Sequence, residues 1–206
     1  MGLKPVLRLI LVVGLSLPAS LSQATPIQFA DNGHYYEYIS TPRNWFDARD
    51  DAASRVYLGL IGHLATITSE AENNFLRDTF GQVAWLGAND FDVEGTWVWA
   101  VGPEAGTIFW TGGATGGPFA GAYANFDVGE PNNQHGDENA LHTWGSASGD
   151  GSSVGRWNDT PWQDTPGYYV EYSVPEPASG WLFLIIGTAA LSLSRINRRS
   201  RACMKG

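Results

Sequence analysis

The segment from Glu130 to Asp159 constrains this chain more than any other. It opens Glu130-Pro131-Asn132-Asn133, closes Arg156-Trp157-Asn158-Asp159, and holds Asp137, Glu138 and Asn139 between. The potential ligands among these named residues are hard oxygen donors, carboxylate or amide carbonyl, with no thiolate among them. Such a set suits Ca²⁺, which takes roughly six to eight oxygens and tolerates irregular geometry. The residues before and after this segment then either build a frame for it or direct its export.

Both ends are set apart by composition. Met1 to Ala24 carries Lys4 and Arg8, an apolar run from Leu9 to Leu17, and then Ser22-Gln23-Ala24. This order of basic, apolar and small residues is that of a secretory signal peptide cut after Ala24. The other end, residues 174–206, carries Val174-Pro175-Glu176-Pro177, an apolar run from Trp181 to Leu193, and then Arg195, Arg198, Arg199, Arg201 and Lys205. The run is shorter than the ~20 residues of a comfortable spanning helix, and the basic cluster holds its far side in the cytoplasm. An ordinary C-terminal membrane anchor and a removable sorting signal both fit this pattern.

What remains, residues 25–173, has the size of one domain with a single core. It contains five Arg and Lys against twenty Asp and Glu, a net charge of −15, whereas the whole chain carries −9. Such an excess speaks against a phosphate-backbone partner, whose binding depends on Lys and Arg, and suits a module that holds cations, although solubility also accounts for much of it; no nucleic acid is expected. Cys203, in the tail, is the chain's one cysteine. The exported domain therefore has no disulfide, and its stability falls to core packing and to any bound ion.

Along the domain, Ile27 to Tyr38 alternates loosely around an Asp31-Asn32-Gly33 turn, which reads as an opening strand or hairpin. Thr41-Pro42 offers an N-cap followed by proline at the first helical position. The apolar spacing of Trp45, Ala48, Ala52 and Val56 predicts a first helix, broken by Gly59 and Gly62. His63 to Ile67 reads as a short strand. Ser69-Glu70-Ala71-Glu72 is a capping box, in which the Ser69 hydroxyl bonds the Glu72 amide and the Glu72 carboxylate reaches back. The second helix should run to Phe80 and bury Ala71, Phe75, Leu76 and Phe80. Short strands follow at Val83–Gly87, Thr96–Val101, Thr107–Thr111, Ala140–Trp144 and Gly167–Tyr172. Between them, Gly112–Gly121 is too rich in glycine for regular structure. Pairing of the first and last strands would bring the ends of the domain together.

Two helices followed by a small sheet bearing long loops, with Trp85-Leu86-Gly87, Glu94-Gly95-Thr96-Trp97, Glu130-Pro131-Asn132 and Trp157-Asn158-Asp159 in that order, resemble the C-type lectin-like domain. The resemblance covers about residues 34–172. It implies an α+β fold of two helices and small antiparallel sheets with long Ca²⁺-binding loops. It also implies a primary Ca²⁺ held by Glu130, Asn132, Glu138, Asn158 and Asp159, with a cis bond before Pro131. Sugar recognition would involve Glu130, Asn132, Glu138 and Asn158, and Glu-Pro-Asn implies mannose-, glucose- or fucose-like sugars with equatorial 3- and 4-hydroxyls. An auxiliary Ca²⁺ would involve Asp90, Glu94 and Asn133, completed by Glu138; a polar turn of solvated acids fits Asp90 and Glu94 equally. The family's usual disulfide cysteines are replaced near Ala52, Ala140, Trp162 and Val170, where apolar contacts would stand in for bridges. Residues 174–201 are similar to the PEP-CTERM signal of Gram-negative bacteria. That likeness implies an exosortase as partner, transient membrane insertion through residues 181–193, and a link with exopolysaccharide or biofilm at the cell surface.

The sequence holds no Gly-x-Ser-x-Gly elbow, no His-Glu-x-x-His helix and no phosphate loop, and the domain has no cysteine nucleophile, so no enzyme is expected. Two non-catalytic readings stay open: an exported Ca²⁺-dependent carbohydrate binder, and a structural or protein-binding module of an extracellular matrix. His135, His142, Trp144 and Trp162 each stand near the site as ligand contacts or as packed side chains.

Overall fold

The computed structural model describes residues 25–146 and 151–175; residues 1–24, read above as a signal peptide, and the tail from residue 176 onward lie outside the described residues. The chain opens with β1 (Ile27–Gln28) turning back into β2 (Tyr35–Ile39). Helix α1 (Trp45–Ser54) follows, then the hairpin of β3 (Val56–Tyr57) and β4 (Leu60–Ile61), and β5 (His63–Leu64). After α2 (Glu70–Thr79) come β6 (Ala84–Asn89), β7 (Thr96–Trp99), β8 (Ile108–Thr111) and β9 (Gly117–Pro118). Strands β10 (Ala140–Thr143), β11 (Trp157–Thr160) and β12 (Gly167–Tyr172) close the domain. Among the described residues, no helix is long and apolar enough to cross a membrane.

The last strand organises the first. β12 pairs antiparallel with β2 from Tyr168↔Ile39 to Tyr172↔Tyr35, so the two ends of the domain meet as expected. On its other side β12 runs parallel to β6, and β5 also pairs with it. The small antiparallel sheets anticipated from sequence are thereby joined into one mixed, branched sheet, with β3–β4 as a separate antiparallel pair. All six residues of β12 are buried. Its tyrosines reconcile burial with their hydroxyls by finding polar partners: Tyr168 donates to Asp51, Tyr169 to the Gln82 carbonyl, and Tyr172 to the buried Glu37.

The helices differ from the sequence reading at their ends. Asn44, and not Thr41, caps α1, its side chain accepting from the Asp47 amide at 2.9 Å. Trp45, Ala48 and Ala52 form the buried face, but Val56 lies past the helix on the exposed β3–β4 hairpin. Ser69 caps α2 as expected, accepting from the Glu72 amide at 3.2 Å. The Glu72 carboxylate does not return to Ser69; it accepts from the Thr68 amide at 2.8 Å and from the Tyr36 hydroxyl. Ala71 is exposed, because the buried face of α2 is Glu72, Asn73 and Leu76, flanked by Phe75 and Phe80. The glycine-rich run from Gly112 forms more than a loop: Gly117 and Pro118 pair with β8.

Two apolar clusters share the sheet. One gathers Trp97, Trp99, Phe109, Phe126 and Trp157 under the loops. The other holds Trp45, Trp85, Ala52, Ala140 and Val170, with Trp162 packed on it. All four positions that resemble disulfide sites therefore fall in one apolar cluster, and Trp162 meets Phe46 edge-on at 5.2 Å. His63 is a packed histidine, bonded to the Leu64 carbonyl and the Ser173 hydroxyl.

Glu72 is buried, and desolvation together with the nearby Glu171 pushes its carboxyl up to about 7 against the opposing bonds from Tyr36 and Thr68. A carboxyl raised in the folded state favours folding fully below its unfolded value of about 4.5. That contribution is lost as pH rises through about 7. Glu72→Gln should therefore flatten the fall in melting temperature between pH 5 and pH 8. Parallel pH profiles for the variant and the parent protein would refute this account.

Candidate functional site

Strand β11 delivers the central residues of the site. Trp157 plugs the aromatic cluster, edge-on to Trp99 at 5.8 Å and to Tyr123 at 5.6 Å, and its indole N–H donates to Asn73 at 2.9 Å. With Trp157 fixed, the next two residues, Asn158 and Asp159, are fixed too, and both are buried. Strand β10 lies alongside, placing His142 opposite Asn158 and Leu141 opposite Asp159.

Asp159 clasps the loop that follows the cis Glu130–Pro131 bond. Its two carboxylate oxygens accept from the backbone amides of Asn132 at 3.1 Å and Asn133 at 2.6 Å. The loop continues through Asn133 and His135, both non-glycine residues with positive φ, and then Gly136. It is held by a second exchange: Glu138 accepts from the Gln134 amide at 2.6 Å, while the Glu138 amide donates to Asn133 Oδ1 at 3.1 Å. Non-glycine residues in left-handed backbone cost energy, and they persist where surrounding contacts over-determine them.

Glu130 stands apart from these satisfied groups. Its Oε2 is buried and receives no hydrogen bond. Burial, the charge and hydrogen-bonding reach of the Asp159 carboxylate, and the charge of Glu138 push its carboxyl up to about 7. Burial and the charges of Asp159 and Asp137 also raise Glu138. Four of the domain's five arginines are committed elsewhere: Arg43 and Arg55 to Asp51, Arg49 to Asp50, and Arg77 to Asp78. The charges of Asp159 and Glu138 therefore both act on Glu130, Asp159 holds the Asn132 backbone, and Asn158 precedes Asp159 on β11.

The residues of the expected auxiliary group divide. Asp90 accepts from the Gly95 amide at 2.7 Å, and the Asn139 amide nitrogen lies 3.1 Å from Asp90 Oδ1 and 3.3 Å from Glu94 Oε2. Burial, then the charges of Glu94 and Asp159, push Asp90 up to about 6. Asn133 instead belongs to the Asp159–Glu138 network. Among the described residues, no three Asp, Glu, His or Cys side chains stand close enough to hold an ion by themselves. Amide oxygens would have to complete any such shell.

A second acidic cleft, of about 490 Å³, is lined by Glu72, Glu104 and Glu171. Its carboxylates are satisfied within the protein: Glu171 by His34 and Thr66, Glu104 by Thr66, and Glu72 by Tyr36 and Thr68. The orphaned oxygen of Glu130 separates the two clusters and selects the loop site. The sequence reading left His142 open, and its role emerges from the structure: it is buried and hydrogen-bonded to Asn158. That link needed the β10–β11 register, which no motif announces.

An α+β frame carrying an oxygen-rich loop cluster at one end defines a binding domain whose chemistry lies in its loops. The chain belongs to the C-type lectin family: the family model described as Lectin C-type domain matches residues 42–170. It is 41% identical to halomucin of Haloquadratum walsbyi over 170 residues, covering 77% of this chain but only 2% of that much longer protein. It is 28% identical over 161 residues to C-type lectin BfL-2 of Bungarus fasciatus, covering 74% of this chain and 85% of the relative. Among solved structures it resembles C-type lectin CEL-I of Cucumaria echinata, with a TM-score of 0.51 and 20% identity over 69% of this chain and 91% of the other. The cow CD23 carbohydrate-recognition domain gives a TM-score of 0.51 and 22% identity over 73% and 95%. These likenesses show the fold expected from the sequence.

Removing one of the crowded charges should stabilise the domain. In chelator at pH 8, Glu130→Gln should raise the melting temperature by a few degrees, about 1 kcal/mol after allowance for solvent screening. The gain should vanish near pH 5, where Glu130 is already protonated. An unchanged or lower melting temperature at pH 8 would show that the carboxylates do not press on one another.

Proposed function

We propose that this protein is an exported, non-catalytic, Ca²⁺-dependent carbohydrate-binding protein. The observation that carries this reading is the buried, unpartnered oxygen of Glu130 beside Asp159 and Glu138. Crowded carboxylates lacking a protein cation favour a bound one, and the all-oxygen donor set suits a hard ion. Glu130, Asn132, Glu138, Asn158 and Asp159 would hold it, with Asn133 and Asp159 keeping the loop in place. When bound, Ca²⁺ supplies open coordination places that two vicinal sugar hydroxyls can enter. The carboxylates of Glu130 and Glu138 accept hydrogen from those hydroxyls, and side-chain amides supply the complementary donors.

The Glu130-Pro131-Asn132 order supports mannose-, glucose- or fucose-like sugars with equatorial 3- and 4-hydroxyls. Asp90 and Glu94 would be the first carboxylates of an auxiliary site, which Asn133 and Glu138 would complete from the neighbouring network. Trp162 belongs to the apolar core in this reading and not to the sugar face. The sequence of residues 1–24 and 174–206 supports export through the inner membrane of a Gram-negative bacterium. It also supports transient insertion through residues 181–193, processing by an exosortase, and a place at the cell surface or in exopolysaccharide.

Calcium titration with thermal melting, followed by a glycan array, tests the proposal. Ca²⁺ at a hundredfold above its Kd should add about 2.7 kcal/mol of stability. Glycan retention should be reversed by chelator and shifted or abolished by the double change Glu130→Gln and Asn132→Asp. Stabilisation without any glycan would favour a structural module instead. Absence of both would leave an acidic loop and sink the reading.

A further inference from the structure

The β3–β4 hairpin has two faces of unlike chemistry. Pairing sets Tyr57 opposite Leu60 and Val56 opposite Ile61, and partners across a ladder share a face. Tyr57 and Leu60 pack on the cluster that holds Trp45 and Tyr172, with the Tyr57 ring 5.1 Å from Tyr35 and 5.7 Å from Tyr172. Val56 and Ile61 are 66% and 67% exposed, and Leu58 at the tip is 70% exposed. No charged residue lies between Val56 and Ile61. The tip is also costly for the backbone. Leu58 and Gly59 both have positive φ, 51° and 83°, as a two-residue type I′ turn requires, and Asn-Gly is the favoured pair there. Left-handed backbone disfavours leucine. Neither packing nor backbone preference accounts for Leu58, and strain held at an exposed apolar tip points to a contact outside the domain.

Position and charge select a lipid bilayer as that contact. Tyr172, on which Tyr57 packs, ends β12, and Trp181 follows nine residues later as the start of the apolar run read as membrane-inserting. Nine residues span at most about 30 Å, so a bilayer that takes the run lies close to the hairpin. The run is shorter than a comfortable span, and a marginal anchor gains from a second apolar contact. Residues 43–61 balance three Arg against three Asp within a domain of net charge −15. This flank therefore escapes the repulsion that the rest of the acidic domain would feel near an anionic surface. A hairpin this small falls far below the roughly 20 to 30 residues per side of a stable protein interface. Interfacial lipid contact instead scales with whatever apolar area is offered.

We propose that Val56, Leu58 and Ile61 form a membrane-contacting tip that enters the interfacial layer of a neutral lipid bilayer beside the exit of the tail. This rests on insertion of residues 181–193 for what brings the bilayer near, and it is independent of the Ca²⁺ and sugar reading. Tail and tip together hold the domain at a set angle to the surface, where the tail alone leaves it free to swivel.

The test moves full-length protein from mild detergent into phosphatidylcholine vesicles. Cys203→Ser removes the native thiol, and Ile61→Cys carries a polarity-sensitive fluorophore beside an unchanged Leu58. Emission should shift to the blue on transfer and be quenched by lipids bearing a nitroxide near the top of the acyl chain. Adding Leu58→Asn should cut that quenching severalfold, and in unlabelled protein it should lower vesicle partition about tenfold. The same Leu58→Asn protein should melt no lower than its parent, because asparagine suits the turn. A leucine of purely structural use gives the reverse, a lower melting temperature with unchanged partition, and that result overturns the proposal. A label that stays water-like in protein that has entered the vesicles overturns the tip and leaves tail insertion standing. Protein that remains in the supernatant overturns both. A blue shift without lipid quenching that grows with protein concentration assigns the patch to a second copy, and likewise overturns the membrane contact.

Discussion

The burial of Trp157 is the interaction on which the site depends. Its ring lies among Trp99, Phe109, Tyr123 and Phe126, and its indole N–H is bound to Asn73 on α2. Its backbone is held as well, donating to the Asn125 carbonyl and accepting from the Asp127 amide. One side chain therefore ties β11 to a helix, to the approach to the Glu130 loop, and to the aromatic cluster. Asn158 and Asp159 inherit that rigidity as the next residues in the strand. A site built on a strand is more closely specified than one built on loops alone. Here the loop residues Asn132 and Asn133 are brought to the strand by Asp159.

A domain of this kind without cysteines must hold its ends by other means. Burying four of the six residues of β12 as Tyr or Val supplies apolar area, and each tyrosine hydroxyl finds a polar partner. An unpaired buried hydroxyl would cost more than its hydrogen bond gains, so these partners are part of the core. Gly62 shows how closely the elements approach. A Cβ there would stand 2.7 Å from the Ala52 carbonyl oxygen and 2.8 Å from Val170. The close packing of α1 against β12 occupies the region where the family resemblance would place a bridge.

Much of this was legible in the sequence because it rests on local chemistry. Ser69 announced a helix start, the spacing of Trp45, Ala48 and Ala52 announced a buried face, and Glu130-Pro131-Asn132 announced the loop. The misreadings have physical causes. Thr41-Pro42 looks like a cap, but Asn44 stands nearer the first buried residue and binds the Asp47 amide. Ala71 fits an apolar stripe, yet α2 turns Glu72 and Asn73 inward because Tyr36, Thr68 and Trp157 supply their partners. His142 could not be assigned from sequence, since its role depends on which residue β11 sets across from it.

The two acidic clusters of the domain show why charge alone does not define a binding site. Around Glu171, a carboxyl is held below the usual range despite burial, because His34 and the Thr66 amide bond it. That cluster is complete without any ligand, and adding a cation would disrupt bonds already made. Around Glu130 the balance is reversed: burial and like charge act together, and one oxygen remains without a donor. The protein could have relieved this strain with one of its few arginines, but Arg43, Arg49, Arg55 and Arg77 are paired elsewhere. A carboxylate left in that setting costs stability, and the domain has no disulfide to offset it. The proposed ion would supply that oxygen with a partner, and its binding free energy would add to the stability of the fold.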